Sequence, residues 1–223
     1  MMVESGTGSG LICVLDDDEG VRDSLEVLLR SANYNVRSFA DPEEFLACDG
    51  ADSAACLILD INLGGANGLD FQEALRENST TVPVILISGF GDVPMTVRGM
   101  KAGAITFLTK PFDEDAMLTA IEEAVASNSA RRREMAALTS VQDRYESLTP
   151  RERELFGLVT AGLMNKQIAG RLKISEITVK IHRGNMVRKM KADSVADLVR
   201  MAETLGIREA ITRYNRRLGH QPG

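Results

Sequence analysis

Four short apolar runs each end on side chains able to do chemistry. Leu-Ile-Cys-Val-Leu at 11–15 leads into Asp16 and Asp17, and Cys-Leu-Ile-Leu at 56–59 into Asp60. Val-Ile-Leu-Ile at 84–87 leads into Ser88, and Ile-Thr-Phe-Leu-Thr at 105–109 into Lys110 and Pro111. A carboxylate is a weak nucleophile, yet it attacks a phosphoryl group to give an acyl phosphate once the charge on both partners is neutralised. Asp16 and Asp17 offer the oxygen ligands that Mg2+ prefers. The backbone carbonyl of Asn62, two residues past Asp60, is placed to complete the shell. Lys110 supplies a fixed positive charge for phosphoryl oxygens, and Ser88 a hydroxyl that can follow the new phosphate. A single acid of this set reads as well as a solvated loop charge; the recurrence at four run ends does not.

The elements that must position these groups follow from the runs themselves. Strands are expected near 11–16, 34–39, 56–60, 83–88 and 104–108. Four of them are short and apolar enough to be buried on both faces, while 34–39 is more polar and suits a sheet edge. Helical patterns lie between and after them, near 19–32, 42–48, 66–77, 93–102 and 113–127. Five strand–helix units predict a doubly wound α/β domain with right-handed crossovers. The carboxyl ends of parallel strands share one edge, where such sheets bind ligands.

The chain of 223 residues carries a formal charge of −6, with 44% hydrophobic and 26% charged residues, ordinary for a globular protein. The charge is unevenly divided. Residues 1–130 hold 7 Lys and Arg against 22 Asp and Glu, a net of −15, whereas residues 131–223 hold 19 against 10, a net of +9. Two domains with different partners are implied, the basic one suited to phosphate backbones. No apolar run approaches membrane-spanning length and the first ten residues lack a signal pattern, so no membrane association and a cytoplasmic location are expected. Cys13, Cys48 and Cys56 lack metal spacing, and Cys13 and Cys56, which fall in expected strands, read as buried, reduced fillers.

The chain divides into a disordered N-terminus at 1–9, the α/β domain at 10–127, a helical connector at 128–147, a helical domain at 148–206 and a basic tail at 207–223. In the connector Met135, Leu138, Val141 and Tyr145 recur at helical spacing. Thr149-Pro150-Arg151-Glu152 then reads as a helix start, with Thr capping, Pro at the first helical position and Glu reaching back to the cap. Four helices are expected, near 150–161, 165–172, 176–190 and 194–205. At 100° per residue, Met186 and Met190 fall within about 20° of Val179, which makes that stripe core. Lys180, Ile181, Gly184 and Arg188 fall on the opposite side. Basic residues around a small Gly fit a groove-entering helix, and Ile181 could touch a thymine methyl. With the short helix at 165–172 before it, this is a helix-turn-helix pattern that predicts double-stranded DNA as a partner.

The segments ICVLDDDEGVRDSL, CLILDINLGGANGLDF and ISGFGDVPMTVRGMKAGAITFLTKPF resemble the receiver domain of two-component response regulators, in particular the FixJ subgroup. The resemblance implies a flavodoxin-like sheet of strand order 2-1-3-4-5. It also implies Asp60 as phosphoacceptor, Asp17 binding Mg2+ directly with Asp16 assisting, Ser88 and Lys110 on the phosphoryl group, a cis Lys110–Pro111 peptide, and Phe107 as a rotating switch. Two departures stand out: Gly64 where the family commonly has Pro, and Phe90 where it often has His. Residues 148–205 resemble the LuxR-type output domain through LTPRERELFGLVTAGLMNKQIAGRLKISEITVKIHRGNMVRKM. That resemblance implies base reading by Lys180, Ile181 and Gly184, with Lys166, Thr178, His182, Arg183 and Arg188 as phosphate contacts. The expected function is a non-enzymatic, phosphorylation-dependent transcriptional regulator. Its expected partners are a sensor histidine kinase, DNA, a second copy of the chain when phosphorylated, and RNA polymerase. Two alternatives stand beside it. One is an aspartate-nucleophile phosphohydrolase, against which Asn62 argues because such enzymes carry a second acid there. The other is a DNA-binding regulator independent of phosphorylation.

Overall fold

The computed structural model describes residues 10–78, 80–91 and 93–207, so the expected disordered segment 1–9 and, beyond Ile207, the basic tail lie outside the described residues. The chain separates into two compact units that divide between Arg132 and Arg133. The first unit is built on strands β1 (Leu11–Leu15), β2 (Asn35–Phe39), β3 (Cys56–Asp60), β6 (Val84–Ser88) and β7 (Thr106–Thr109). They form one all-parallel sheet in the order β2-β1-β3-β6-β7, the doubly wound arrangement expected.

Strand periodicity sorts the apolar residues onto two faces. Cys13, Leu15, Leu57, Leu59 and Leu86 point to one side, where they meet Phe45 of α2 (Pro42–Ala47) and Leu69 and Leu75 of α3 (Gly68–Glu77). Ile12, Val14, Ile58, Ile85 and Ile87 point to the other and meet Leu25 and Leu29 of α1 (Glu19–Ser31) and Met117, Ile121 and Ala124 of α5 (Glu114–Glu146). Helix starts follow capping chemistry. The carboxylates of Asp18 and Asp41 accept from the first free amides of α1 and α2, and Asn67 does the same for α3.

Two expectations are corrected. The strand expected at 104–108 to be buried on both faces is β7, the far edge of the sheet. It has one strand neighbour, so Thr106, Phe107 and Leu108 are only half-buried. The helix expected from residue 66 begins at Gly68, because residues 62–67 form a small antiparallel hairpin, β4 (Asn62–Leu63) and β5 (Ala66–Asn67). Gly64 and Gly65 make its two-residue turn with φ of +57° and +141°, the left-handed backbone such hairpins demand.

In the second unit α6 (Pro150–Thr160), α7 (Asn165–Leu172), α8 (Glu176–Met190) and α9 (Val195–Thr204) surround Leu155, Phe156, Val159, Ile168, Val179, Met186, Met190 and Leu198. The capping box at Thr149 and Glu152 starts α6. Tyr145, near the end of α5, packs edge-on against Phe156 with ring centroids 5.4 Å apart. Among the described residues no helix is long and apolar enough to cross a membrane.

Candidate functional site: an acidic cluster and a helix-turn-helix face

The parallel register carries Asp16, Asp60, Ser88 and Lys110 to one edge of the sheet. Leu15 pairs with Leu59, Asp60 with Ile87 and Ser88 with Thr109, so each strand gives up its polar residue where the ladder ends. Asp16 is fully buried and Asp60 nearly so. The Lys110 ammonium lies between them, donating to Asp16 Oδ2 at 2.6 Å and to Asp60 Oδ2 at 2.9 Å. The other Asp16 oxygen accepts from the Asp18 amide at 3.0 Å. Asp60 Oδ1 is buried and has no partner. Asp17 is exposed, and one carboxylate oxygen from each of Asp16, Asp17 and Asp60 lies within 4.8 Å of the others. The Lys110–Pro111 peptide is cis.

One ammonium faces three carboxylates, and the electrostatics reflect the deficit. Burial pushes the Asp16 carboxyl above its usual range, and the charge of Asp60 adds to this. The hydrogen bonds from Lys110 and the Asp18 amide offset only part of the rise. For Lys110 burial alone would lower the pKa, but its hydrogen bonds to Asp16 and Asp60 outweigh it and hold the ammonium above its ordinary value. A compact, all-oxygen, net-negative site with an orphaned carboxylate oxygen fits a small hard divalent cation.

Not every expected residue joins the cluster. The Ser88 hydroxyl donates to the Phe90 carbonyl at 3.0 Å and accepts the Phe90 amide at 3.2 Å, a local turn two residues on. Asn62 is exposed at the start of β4, with its backbone next in line after Ile61. Phe107 is half-buried on β7, and a Cβ added to Gly91 would stand 3.1 Å from its ring. The loop after Ser88 therefore passes directly over that ring.

Of two glycines beside the site, sequence reasoning noticed Gly64 only as a departure from proline and missed Gly68. A Cβ on Gly68 would lie 2.1 Å from the Asp60 carbonyl oxygen, so α3 can start against the Asp60 backbone only with glycine there. A Cβ on Gly64 would lie 3.1 Å from Asp17 Oδ2. Proline, fixed near φ −65°, has no access to the +57° that Gly64 adopts. The Gly64-Gly65 dipeptide is the sequence signal for that turn.

In the second unit Val179, Met186 and Met190 are fully buried, as the helical phase predicts. Lys180, Ile181, Gly184 and Arg188 are exposed on the outer side of α8, Ile181 by 59%. A Cβ on Gly184 would meet open space, so internal packing gives no reason for glycine there. Ile177 is 72% exposed and lies on the same stripe, one turn before Ile181; the same phase count would have found it. The turn before α8 uses Lys173 at φ +52° and the Ser175 cap, whose hydroxyl accepts from the Thr178 amide at 3.1 Å and pairs with the Thr178 hydroxyl at 2.8 Å. Arg183 donates to Asn165 Oδ1 at 2.8 Å, fixing α8 on α7. Arg188 donates to Asn185 Oδ1 at 2.6 Å. Lys166 is exposed on α7 and His182 is half-buried.

Residues 12–122 match the response regulator receiver domain, and residues 146–202 match bacterial regulatory proteins of the luxR family. Nodulation protein W of Bradyrhizobium diazoefficiens is 44% identical over 197 residues, covering 88% of this chain and 87% of its own. Transcriptional regulatory protein FixJ of the same organism is 37% identical over 201 residues, covering 90% of this chain and 98% of its own. The solved structure of the response regulator StyR resembles the chain with a TM-score of 0.80 at 43% identity, over 86% of this chain and 98% of that one.

Proposed function

This chain belongs to the response regulators that carry a receiver domain ahead of a LuxR-type DNA-binding domain, and from that premise we propose that phosphorylation of Asp60 controls its binding to DNA. A receiver implies a histidine kinase as partner, and the LuxR-type domain implies DNA. In the proposed division of the chain, residues 10–127 receive the phosphoryl group, 128–147 connect, and 148–206 bind DNA, all in the cytoplasm.

The observation that carries the proposal is the orphaned Asp60 oxygen set among two further acids and one ammonium. Asp60 attacks phosphorus through that free oxygen as the bond from phosphorus to the kinase imidazole nitrogen breaks and the imidazole leaves. Asp16, Asp17, Asp60 and the Asn62 carbonyl would hold Mg2+, which neutralises charge between the carboxylate and the incoming phosphoryl group. Lys110 pairs with a phosphoryl oxygen while staying within reach of Asp60. Ser88 leaves its turn with Phe90 to donate to the new phosphate. That movement draws the loop at 89–91 away from Phe107, whose ring is free to rotate inward. The face of α4 (Val93–Lys101) is repacked, and its exposed Val93, Val97 and Met100 favour pairing with a second receiver. This is a population shift driven by one new charge cluster. A groove of about 610 Å3 beside the site, walled by Val21, Leu25, Leu28, Pro111 and Phe112, offers the kinase an apolar seat next to Lys110.

On DNA, α8 enters the major groove with Ile177, Lys180, Ile181 and Gly184 toward base edges. Lys166, Thr178, His182 and Arg188 contact phosphates, and Arg183 keeps α7 and α8 in register while reaching the backbone. RNA polymerase is the partner a bound activator would recruit.

Acetyl phosphate with Mg2+ should add one phosphoryl group to the wild-type chain by intact mass, and none to Asp60→Ala. Labelling retained by Asp60→Ala would overturn the assignment. Continuous release of phosphate from an aryl phosphate would instead favour the hydrolase.

A further inference from the structure

Among the described residues of the first unit, four polar side chains besides Ser88 are buried: Asp16 and Asp60 belong to the acid cluster, Gln72 bonds the Gly99 carbonyl of α4, and Asn128 has no part in either arrangement. Its side chain is nonetheless fully engaged. The Asn128 amide donates to the carbonyls of Ala54 at 3.0 Å and Ala55 at 3.1 Å, and its Oδ1 accepts from Arg131 at 3.1 Å. Arg131 also donates to the Thr81 carbonyl, and Arg132 to the Ser53 carbonyl at 3.3 Å. These carbonyls belong to the loops that enter β3 and β6, the two strands that deliver Asp60 and Ser88 at their other ends. From Arg132 to Thr139 eight consecutive residues of α5 are exposed on every side.

We propose that Asn128, with Arg131 and Arg132, is a positioning latch that ties the connector part of α5 to the entry ends of β3 and β6, so that the state of Asp60 and Ser88 reaches residues 132–139. The coupling rests on the phosphorylation reading above; the latch itself does not.

The physical argument has two steps. A short helix with no packed face is marginal in water because its nucleation is unfavourable, but growth from an already fixed turn needs no new nucleus. Arg133-Glu134-Met135-Ala136-Ala137-Leu138 are good helix formers, and the exposed stretch is supported at its far end by Tyr145 packed on Phe156 and at its near end by the turn at 128–132. What holds that turn is a set of backbone carbonyls whose positions depend on strands β3 and β6. Those strands are close-packed on both faces and shift as units rather than deform. A displacement at Asp60 or Ser88 therefore changes the acceptors of Asn128 and Arg131, and with them the stability of the helix beyond.

The test uses the full chain with Asn128→Ala and Arg132→Ala, which removes only the exposed member and serves if the buried variant fails to fold. Hydrogen exchange is followed in residues 129–139 with and without beryllofluoride and Mg2+. Affinity for a duplex selected from a random pool is measured under the same conditions. Asn128→Ala should raise exchange in 129–139 at least about tenfold while leaving β1 and β3 unchanged, the scale on which loss of two buried hydrogen bonds shifts a local opening. Labelling of Asp60 should persist, while the beryllofluoride-induced gain in DNA affinity falls at least about fivefold. Exchange or gain equal to wild type in both variants would overturn the latch. If wild type shows no gain at all, the phosphorylation reading fails, and a response of 129–139 exchange to beryllofluoride then decides the coupling alone. No response there would overturn it.

Discussion

A buried carboxylate is either satisfied by its neighbours or left in deficit by them, and the described residues hold both kinds. Asp16 shares a single ammonium with Asp60 and is held above the usual carboxylate range by burial, a deficit that a divalent cation relieves. Glu152, almost completely buried at the start of α6, accepts from Lys189 at 2.7 Å and from the Thr149 amide at 2.9 Å. Burial alone would raise its pKa, but these bonds outweigh burial and hold it below the ordinary 4.5. A folded pKa below the unfolded one means that the bonds stabilise the domain fully above the unfolded value and that this is lost as pH falls through the folded value. Lys189→Met should therefore cost about 1–3 kcal/mol at pH 7, where it strands a buried charge. The cost should shrink as pH falls below the ordinary carboxylate range and Glu152 is protonated. Amide exchange of α6 and α8 in urea at the two pH values measures this. An equal cost at both would mean that the ion pair is not the interaction that matters.

At the scale of elements, glycines test whether a helix is shaped by its own fold or by something outside it. In α4 a Cβ on Gly99 would come within 2.2 Å of Leu86 Cδ1, so the helix rests directly on β6, the strand that ends in Ser88. Gly99→Ala should destabilise the receiver by about 1–3 kcal/mol through overpacking. In α8 a Cβ on Gly184 meets nothing, so Gly184→Ala should stabilise the helix by about 0.5–1 kcal/mol. If α8 approaches a groove closely at that point, the same substitution weakens DNA binding; a Gly184→Ala chain more stable and equally tight on DNA would remove Gly184 from the interface. These two glycines also mark what was legible in the sequence. Gly184 showed itself because a long amphipathic helix has a readable phase. Gly99 did not, because its reason is a side chain on a strand thirteen residues earlier in the chain. The same division holds elsewhere. Asp16, Asp60, Ser88 and Lys110 were found because apolar runs end abruptly on them. The hairpin at 62–67 is too short to have a period, β7 reads as apolar although it has only one strand neighbour, and Asn128 lies in a polar stretch while its acceptors are more than 70 residues away.

The whole molecule joins a half of net charge −15 to a half of net charge +9, and this split governs how DNA binding depends on salt. Each phosphate neutralised by a Lys or Arg releases counterions and steepens the fall of log affinity with log salt by about 0.9 for duplex DNA. Lys166, exposed on α7, is proposed as a phosphate contact, whereas Ile181 on α8 is proposed to touch a base. Lys166→Ala should therefore lower affinity for every sequence alike and reduce the slope by about 1. Ile181→Ala should leave the slope unchanged and relax the preference at one or two base positions of the selected site. The acidic half contributes in the opposite sense. It repels a polyanion over a distance set by screening, about 30 Å at 0.01 M salt and about 8 Å at physiological salt. Non-specific binding of the full chain should then weaken less steeply on adding salt than that of a variant in which exposed receiver acids such as Glu19, Asp23 and Glu43 are changed to Gln or Asn, because salt screens the repulsion along with the attraction. Binding isotherms on a random duplex at several salt concentrations check both slopes. If the receiver substitutions leave the non-specific slope untouched, the acidic half does not act electrostatically on DNA, and its influence on the output runs only through the connector and the pairing of receivers.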